Sequence, residues 1–287
     1  MTQTEKTEKT IEERALQEFR RYLLREEREE ATVQKYLFEA EQFAKWLGER
    51  ELCREAVNAW KKELIKKKKY AAVTVNGKLS ALNTFLRFLN REDCKARTLR
   101  VQRQVFRKKS RELTKGEYQR LVKTAARLKK KRLLLLMETL CACGIRVSEV
   151  RFITLAAAIA GGTTVCLKGK NRYIFIPHRL AKKLIRYAKS MGIISGEIFI
   201  TRTGKSISRR QIWAEMKALC KEAGVEESKV FPHNLRHLFA TEFYKETHDI
   251  VKLSDLLGHS SIETTRIYLV STGAEHQRYM NRMQLVS

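Results

Sequence analysis

Between residues 32 and 47, apolar side chains recur at Val33, Tyr36, Leu37, Ala40, Phe43, Ala44 and Leu47. That i, i+3, i+4, i+7 spacing marks one face of a helix, and Thr32 suits its start. The same period predicts helices over residues 11–27, over about 51–68 and from about Thr74 to Asn90. The last of these lines up Leu79, Leu82, Phe85, Leu86 and Leu89 on one side, and Asn76, Lys78, Asn83 and Arg87 on another. Residues 1–10, "MTQTEKTEKT", are polar and are expected to form a frayed lead. Four helices with short connections make a small helical domain.

Periodicity weakens over residues 95–111, "KARTLRVQRQVFRKKSR", which are strongly basic and read as a linker. It returns at "ELTKGEYQRLV", where Thr114 followed by Glu117 is a capping box. Helices are expected over 115–128, 130–143 and 147–152. The period then changes. Residues 163–167 (TTVCL) and 172–176 (RYIFI) are rich in β-branched and aromatic residues around the turn "KGKN", which predicts a β-hairpin. Gly161 and Gly162 turn the chain before it, while the "LAAAIAGG" stretch at 155–162 carries no predicted element. Helices resume over 178–191, 208–223, 233–246, 250–257 and 261–270, with a last short one within 273–287. "EIFI" at 197–200 is at best a short strand. The fold class is therefore mainly α: a helical N-terminal domain over 1–100, a basic linker over 101–111 and an α-rich second domain over 112–287 with a small β-hairpin.

A chain of 287 residues with 43% apolar residues can build two ordinary cores. Its charge changes the picture more. Net charge is +27, distributed as −3 over residues 1–60, +10 over 61–105 and +20 over 106–287. Positive charge spread over a folded chain, rather than held in a tail, points to a polyanionic partner, nucleic acid first. No run approaches the roughly 20 apolar residues of a membrane span, and the N-terminus lacks a signal-peptide apolar region. No basic amphipathic helix with a large apolar face offers a membrane anchor. The six cysteines have neither zinc spacing nor the look of a disulfide framework. A reduced, cytoplasmic protein with no cofactor is expected.

Three short motifs carry the chemistry. In "FPHNLRHLFAT", Pro232 suits a helix start, and His233, Arg236 and His237 stand at i, i+3 and i+4 on one face. In "CGIRVSEV", Gly144 breaks an apolar helix where Arg146 emerges, with Ser148 and Glu149 placed to hold its guanidinium or cap the next helix. In "LKGKNRYIFIP", Lys168 and Lys170 stand at the hairpin tip. A fourth stretch, "LLGHSSIETTRIYLV", has Gly258 as a helix C-cap and Ser260 with Glu263 as a capping box; Tyr268 follows two turns later. Taken singly, these are a capping histidine, a salt-bridged arginine, a solvated turn and a packed tyrosine. Together they suit a phosphate. Guanidiniums match phosphate oxygens bidentately and stabilise charge developing on phosphorus oxygens. A tyrosine, with an ordinary pKa near 10, can attack phosphorus given a base or a strongly positive site. The absence of an acidic metal cluster disfavours a two-metal nuclease.

With "TVQKYLFEAEQFAKWL" and "YAAVTVNGKLSALNTFLRFL" in the N-terminal part added to these motifs, the chain resembles the tyrosine recombinase (phage integrase) family along almost its full length. The resemblance implies DNA cleavage and rejoining through a 3′-phosphotyrosine, without metal or ATP. It implies that Arg146 and Arg236 clamp the scissile phosphate and that Tyr268 is the nucleophile. His233 is then its base and His259 a phosphate ligand, while His237 is structural support. Lys168, just before Gly169, is the general acid; Lys170 also fits the family's hairpin lysine. DNA contacts are expected from Lys66, Lys67, Lys68, Lys69, Asn76, Lys78, Arg103, Arg107, Lys108, Lys109 and Lys170. The family pattern further implies a C-shaped clamp on double-stranded DNA recombination sites, a homotetramer on two sites and an accessory DNA-bending or excision factor as a partner. A nucleoid association when DNA-bound follows. The rival readings are a non-catalytic DNA-binding relative, and a topoisomerase or resolvase that shares the chemistry.

Overall fold

The computed structural model describes residues 3–101, 112–167, 170–259, 261–266, 268 and 280–283. The chain divides into two compact units, Met1–Arg103 and Gln104–Ser287.

The first unit contains α1 (Gln3–Arg25), α2 (Glu30–Leu47), α3 (Arg54–Lys66) and α4 (Ala72–Phe88). From Gln3 on, the lead expected to fray is instead the start of α1; glutamate and lysine are good helix formers, so a polar run need not fray. Phe19, Leu23, Val33, Phe43, Val57, Trp60, Leu79, Leu82 and Leu86 form the core. The polar side of α4 does work inside this unit. The Asn76 amide donates to the Leu99 carbonyl (2.9 Å) and accepts from the Leu99 N–H (2.7 Å). Asn83 holds Ala96 in the same way, at 3.0 and 3.1 Å. Two asparagines seven residues apart thus supply the backbone partners that the extended segment after α4 lacks. Lys78 donates to both carboxylate oxygens of Glu39, at 2.8 and 2.7 Å, with both side chains largely out of solvent. Asn76 and Lys78, expected on a DNA-facing side, have these polar groups engaged internally.

The second unit contains α5 (Lys115–Arg127), α6 (Lys131–Ala142), a 3-10 turn (Val147–Phe152), α7 (Leu155–Ala160), β1 (Gly162–Leu167) and β2 (Lys170–Phe175). These are followed by α8 (His178–Ser190), α9 (Arg209–Lys217), α10 (Cys220–Ala223), α11 (Pro232–Thr247), α12 (Ile250–Leu257) and α13 (Ile262–Arg266). The capping box at α5 is present: Glu117 N–H donates to Thr114 Oγ1 and Thr114 N–H to the Glu117 carboxylate. The antiparallel hairpin pairs Val165 with Arg172 and Leu167 with Lys170. Where no element was expected, α7 forms. Thr154 caps its start and Gly161, in the left-handed region, ends it; alanine, the best helix former, fills its middle. The helix expected over 208–223 is broken in two around Ala218 and Leu219. The 197–200 stretch makes only isolated bridges, Thr154 with Glu197 and Ile200 with Ser206. Ser260, and all of 273–287 apart from residues 280–283, lie outside the described residues. Among the described residues, no helix is long and apolar enough to cross a membrane.

The core of this unit runs through Leu121, Leu133, Leu136, Leu140, Ile145, Ile174, Leu184, Phe199 and Leu235. It leaves the ends of α6, α11 and α12 and the inner face of β2 converging on one region of charge.

Candidate active site

Arg236 stands one turn into α11 and is among the most buried side chains of the molecule. A lone guanidinium would not persist there, because a buried charge must be paired or hydrogen-bonded. Its Nη1 donates to the Gly144 carbonyl (2.8 Å) and its Nη2 to the Leu257 carbonyl (2.6 Å). Burial, with Arg146 and Arg172 nearby, pushes its pKa down to about 10, so it stays charged at neutral pH. Gly144 makes the first of these bonds possible. It has φ +58°, and a Cβ there would lie 2.3 Å from the Phe239 ring. Gly144→Ala combines a left-handed alanine with overpacking and should cost about 2–5 kcal/mol. Calorimetric unfolding of the variant checks this; a loss below about 1 kcal/mol would contradict the packing described.

Glu149 is the hub. It lies in the 3-10 turn and is 1% exposed. Its carboxylate accepts from the Arg146 N–H (2.7 Å), from Arg146 Nη1 (3.1 Å) and from Arg172 Nη2 (2.7 Å), with Arg236 Nη1 at 4.0 Å. On the other side of the three arginines is the C-terminus of α12. Its last carbonyls lack helical partners and form the negative end of the helix dipole. Each takes one guanidinium: Leu256 from Arg172 (2.9 Å), Leu257 from Arg236 and Gly258 from Arg146 (3.4 Å). Gly258, with φ +61°, is the left-handed C-cap that the sequence predicts. Three guanidiniums against one carboxylate leave the cluster positive. Arg146 is the most exposed of the three, its side chain 42% exposed against 7% for Arg172 and 2% for Arg236.

Tyr268 packs beside this cluster and is itself buried. It lies in a turn just past α13 rather than within a helix, its N–H donating to the Thr265 carbonyl. Three imidazoles surround its ring. His237 meets it edge-on at 5.0 Å between centroids, His259 stacks at 5.8 Å and His233 lies at 6.0 Å. His259 Nε2 is 3.0 Å from Arg236 Nη2, and its Nδ1 is 2.8 Å from Thr265 Oγ1. A guanidinium can only donate. Nε2 therefore accepts from Arg236, and the ring proton sits on Nδ1, which donates to Thr265. Burial, followed by the charges of Arg236, Arg146 and Arg172, pushes the His259 pKa down to about 4, which keeps the ring neutral.

Arg146, His233, Arg236, His259 and Tyr268 thus come together in one cluster. Lys168 lies outside the described residues, as do Arg103, Arg107, Lys108 and Lys109. Lys170 opens β2, and Lys66–Lys69 stand exposed at the end of α3 in the first unit. The residue that sequence reasoning missed is Arg172. The signal was present: it shares the inward face of β2 with Ile174, since side chains alternate along a strand. An arginine on the buried face of a strand needs an acidic partner, and Glu149 was available.

Residues 111–275 match the model of the phage integrase family, and residues 16–93 match that of the phage integrase N-terminal SAM-like domain. The chain is 30% identical to the tyrosine recombinase XerA of Thermococcus kodakarensis over 92% of each chain. It is 28% identical to that of Pyrococcus furiosus over 97% of each. Among solved structures, the fold is similar to a lambda integrase dimer bound to a COC′ core site, with a TM-score of 0.70 at 16% identity over 93% of this chain and 81% of that one. It is also similar to the XerH site-specific recombinase bound to palindromic difH substrate in a post-cleavage complex, with a TM-score of 0.66 at 18% identity over 89% and 80%.

Proposed function

The chain belongs to the phage integrase family of tyrosine recombinases, and from that premise we propose that it cleaves and rejoins specific double-stranded DNA sites through a phosphotyrosine at residue 268. The observation that carries this reading is the juxtaposition of Tyr268 and His259 with the guanidiniums held between Glu149 and the α12 C-terminus. Arg146 and Arg236 take the non-bridging oxygens of the scissile phosphodiester. The Tyr268 oxygen attacks phosphorus, its proton passing to His233. A bond forms between that oxygen and the 3′-phosphate, and the bond to the 5′-oxygen breaks. Lys168 supplies the proton to the leaving 5′-oxygen. The free energy of the broken diester is kept in the new one, so a 5′-hydroxyl from another strand reverses the step without ATP. Fixed positive charge stabilises the charge that develops on the phosphate. His259, hydrogen-bonded to Arg236, stands beside them as a further ligand of the phosphate.

The first unit, the basic residues Lys66–Lys69 and the linker residues Arg103, Arg107, Lys108 and Lys109 supply contacts to the DNA backbone, with Lys170 at the hairpin. Residues 1–100 bind the core site, 101–111 connect and 112–287 catalyse. Four protomers act on two sites, with an accessory DNA-bending factor where the site requires one. The setting is the cytoplasm, at the nucleoid when DNA is bound.

A nicked duplex carrying a site selected by the protein from a random pool tests the reaction class. In EDTA and without nucleotide, cleavage should release a 5′-hydroxyl end that accepts label from polynucleotide kinase, while the 3′ end stays blocked by protein. Dependence on a divalent metal, or a free 3′-hydroxyl, would contradict the reading.

A further inference from the structure

We propose that Arg172, which lies outside the six residues assigned to the chemistry, is a positioning residue for DNA cleavage. By donating to Glu149 and to the α12 C-terminus at once, it holds the Arg146 guanidinium and the turn carrying His259 in one frame.

The argument begins with where an arginine should not be. Positions 172 and 174 point to the same side of β2, and Ile174 and the following Ile176 are buried. A third aliphatic residue would complete that face at no electrostatic cost. Arg172 stands there instead, its side chain 7% exposed. Its Nε is buried and has no hydrogen-bond partner among the described residues. Burial pushes its pKa down. An unpartnered buried donor and a desolvated cation both weigh against folding, so this position is not optimised for stability alone.

What the arginine gains is a three-way connection. Nη2 donates to Glu149 Oε2 (2.7 Å), the oxygen that also accepts the Arg146 N–H. Nη1 donates to the Leu256 carbonyl (2.9 Å). The stem lies against Gly258, where a Cβ would fall 2.5 Å from Arg172 Cδ, so the glycine C-cap leaves the space that the arginine fills. Gly258 in turn gives its carbonyl to Arg146, and Leu257 gives its own to Arg236. One side chain therefore joins β2, the 3-10 turn and the start of the segment that runs through His259 to Tyr268. Its two terminal nitrogens are taken by Glu149 and Leu256. The role proposed for it is to act through these neighbours and not on the phosphate.

Misplacing a reacting group by about 1 Å can cost on the order of 10²-fold in rate. In the full chain, Arg172→Gln should cleave a nicked duplex about 10²-fold more slowly at saturating protein, with DNA affinity within about threefold of wild type. Arg172→Lys keeps the charge but reaches only one of the two acceptors, and should recover about one order of magnitude. DNA with sulfur at the bridging 5′ position, which needs no acid, should not restore the rate. Three results would each overturn the proposal: a saturating rate within threefold of wild type, a rate loss matched by an equal loss of affinity, or restoration by the bridging sulfur. Should Arg172→Gln not fold, Arg172→Lys carries the test, with about 10-fold slower cleavage at unchanged affinity expected and a wild-type rate overturning it. The inference rests on the reading of this cluster as a cleavage centre. Wild-type cleavage in the same assay tests that reading, and the ratio of variant to wild type tests Arg172.

Discussion

Tyr268→Phe should form no covalent adduct with DNA and yet bind it nearly as tightly as the wild-type chain. The substitution removes one hydroxyl and keeps the ring that packs against His237 and His259. On the proposed mechanism, only the nucleophile is lost. Affinity should change by no more than one ordinary hydrogen bond, about 1 kcal/mol or fivefold. On a nicked duplex, whose downstream fragment diffuses away once cut, the wild-type adduct should survive denaturant and disappear on protease treatment. An adduct of normal yield from the phenylalanine variant would remove Tyr268 from the mechanism. A large loss of binding with no adduct would mean that the hydroxyl had been holding the fold or the DNA.

Lys168→Ala should show the second large effect, and a selective one. Cleavage expels a 5′-alkoxide, which needs a proton in the transition state, and a positioned acid contributes roughly 10²–10⁴-fold to such a step. A bridging sulfur leaves as a thiolate, because thiols are far more acidic than alcohols. Lys168→Ala should therefore cleave ordinary DNA slowly and sulfur-bridged DNA at close to the wild-type rate. Arg146→Ala and Arg236→Ala should not be restored, because the proposed mechanism gives their guanidiniums to the non-bridging oxygens. Arg236→Ala carries a further cost. It leaves the Gly144 and Leu257 carbonyls without their donor, and a buried unsatisfied group costs about 1–3 kcal/mol. Restoration of Lys170→Ala in place of Lys168→Ala would move the acid two residues along the hairpin.

What could be read from the chain alone was whatever its local chemistry encodes. The capping box at Thr114 and Glu117, the proline opening α11 and the glycine closing α12 each act within a few residues, and each is in place. The i, i+3 spacing of His233 and Arg236 needed only a helix to become geometry. What could not be read depends on partners far away in sequence. Asn76 gives its amide to Leu99, 23 residues on. Lys78 found Glu39 across 39 residues. Arg172 meets Leu256 across 84. Periodicity says which face a residue occupies but not what lies opposite. The start of α1 and all of α7 failed for another reason: polar and alanine-rich segments have no strong apolar alternation, so pattern gave little signal where helix propensity sufficed.

The most direct test of the central claim is to find the atom that carries the DNA. The denatured wild-type adduct, digested with nuclease and trypsin, should yield a nucleotide-bearing peptide of residues 267–278. Fragmentation should place the phosphate on Tyr268. A nucleotide on any other residue, Tyr244 or Tyr187 included, would contradict the assignment of the nucleophile and with it the roles given to the arginines and histidines around it.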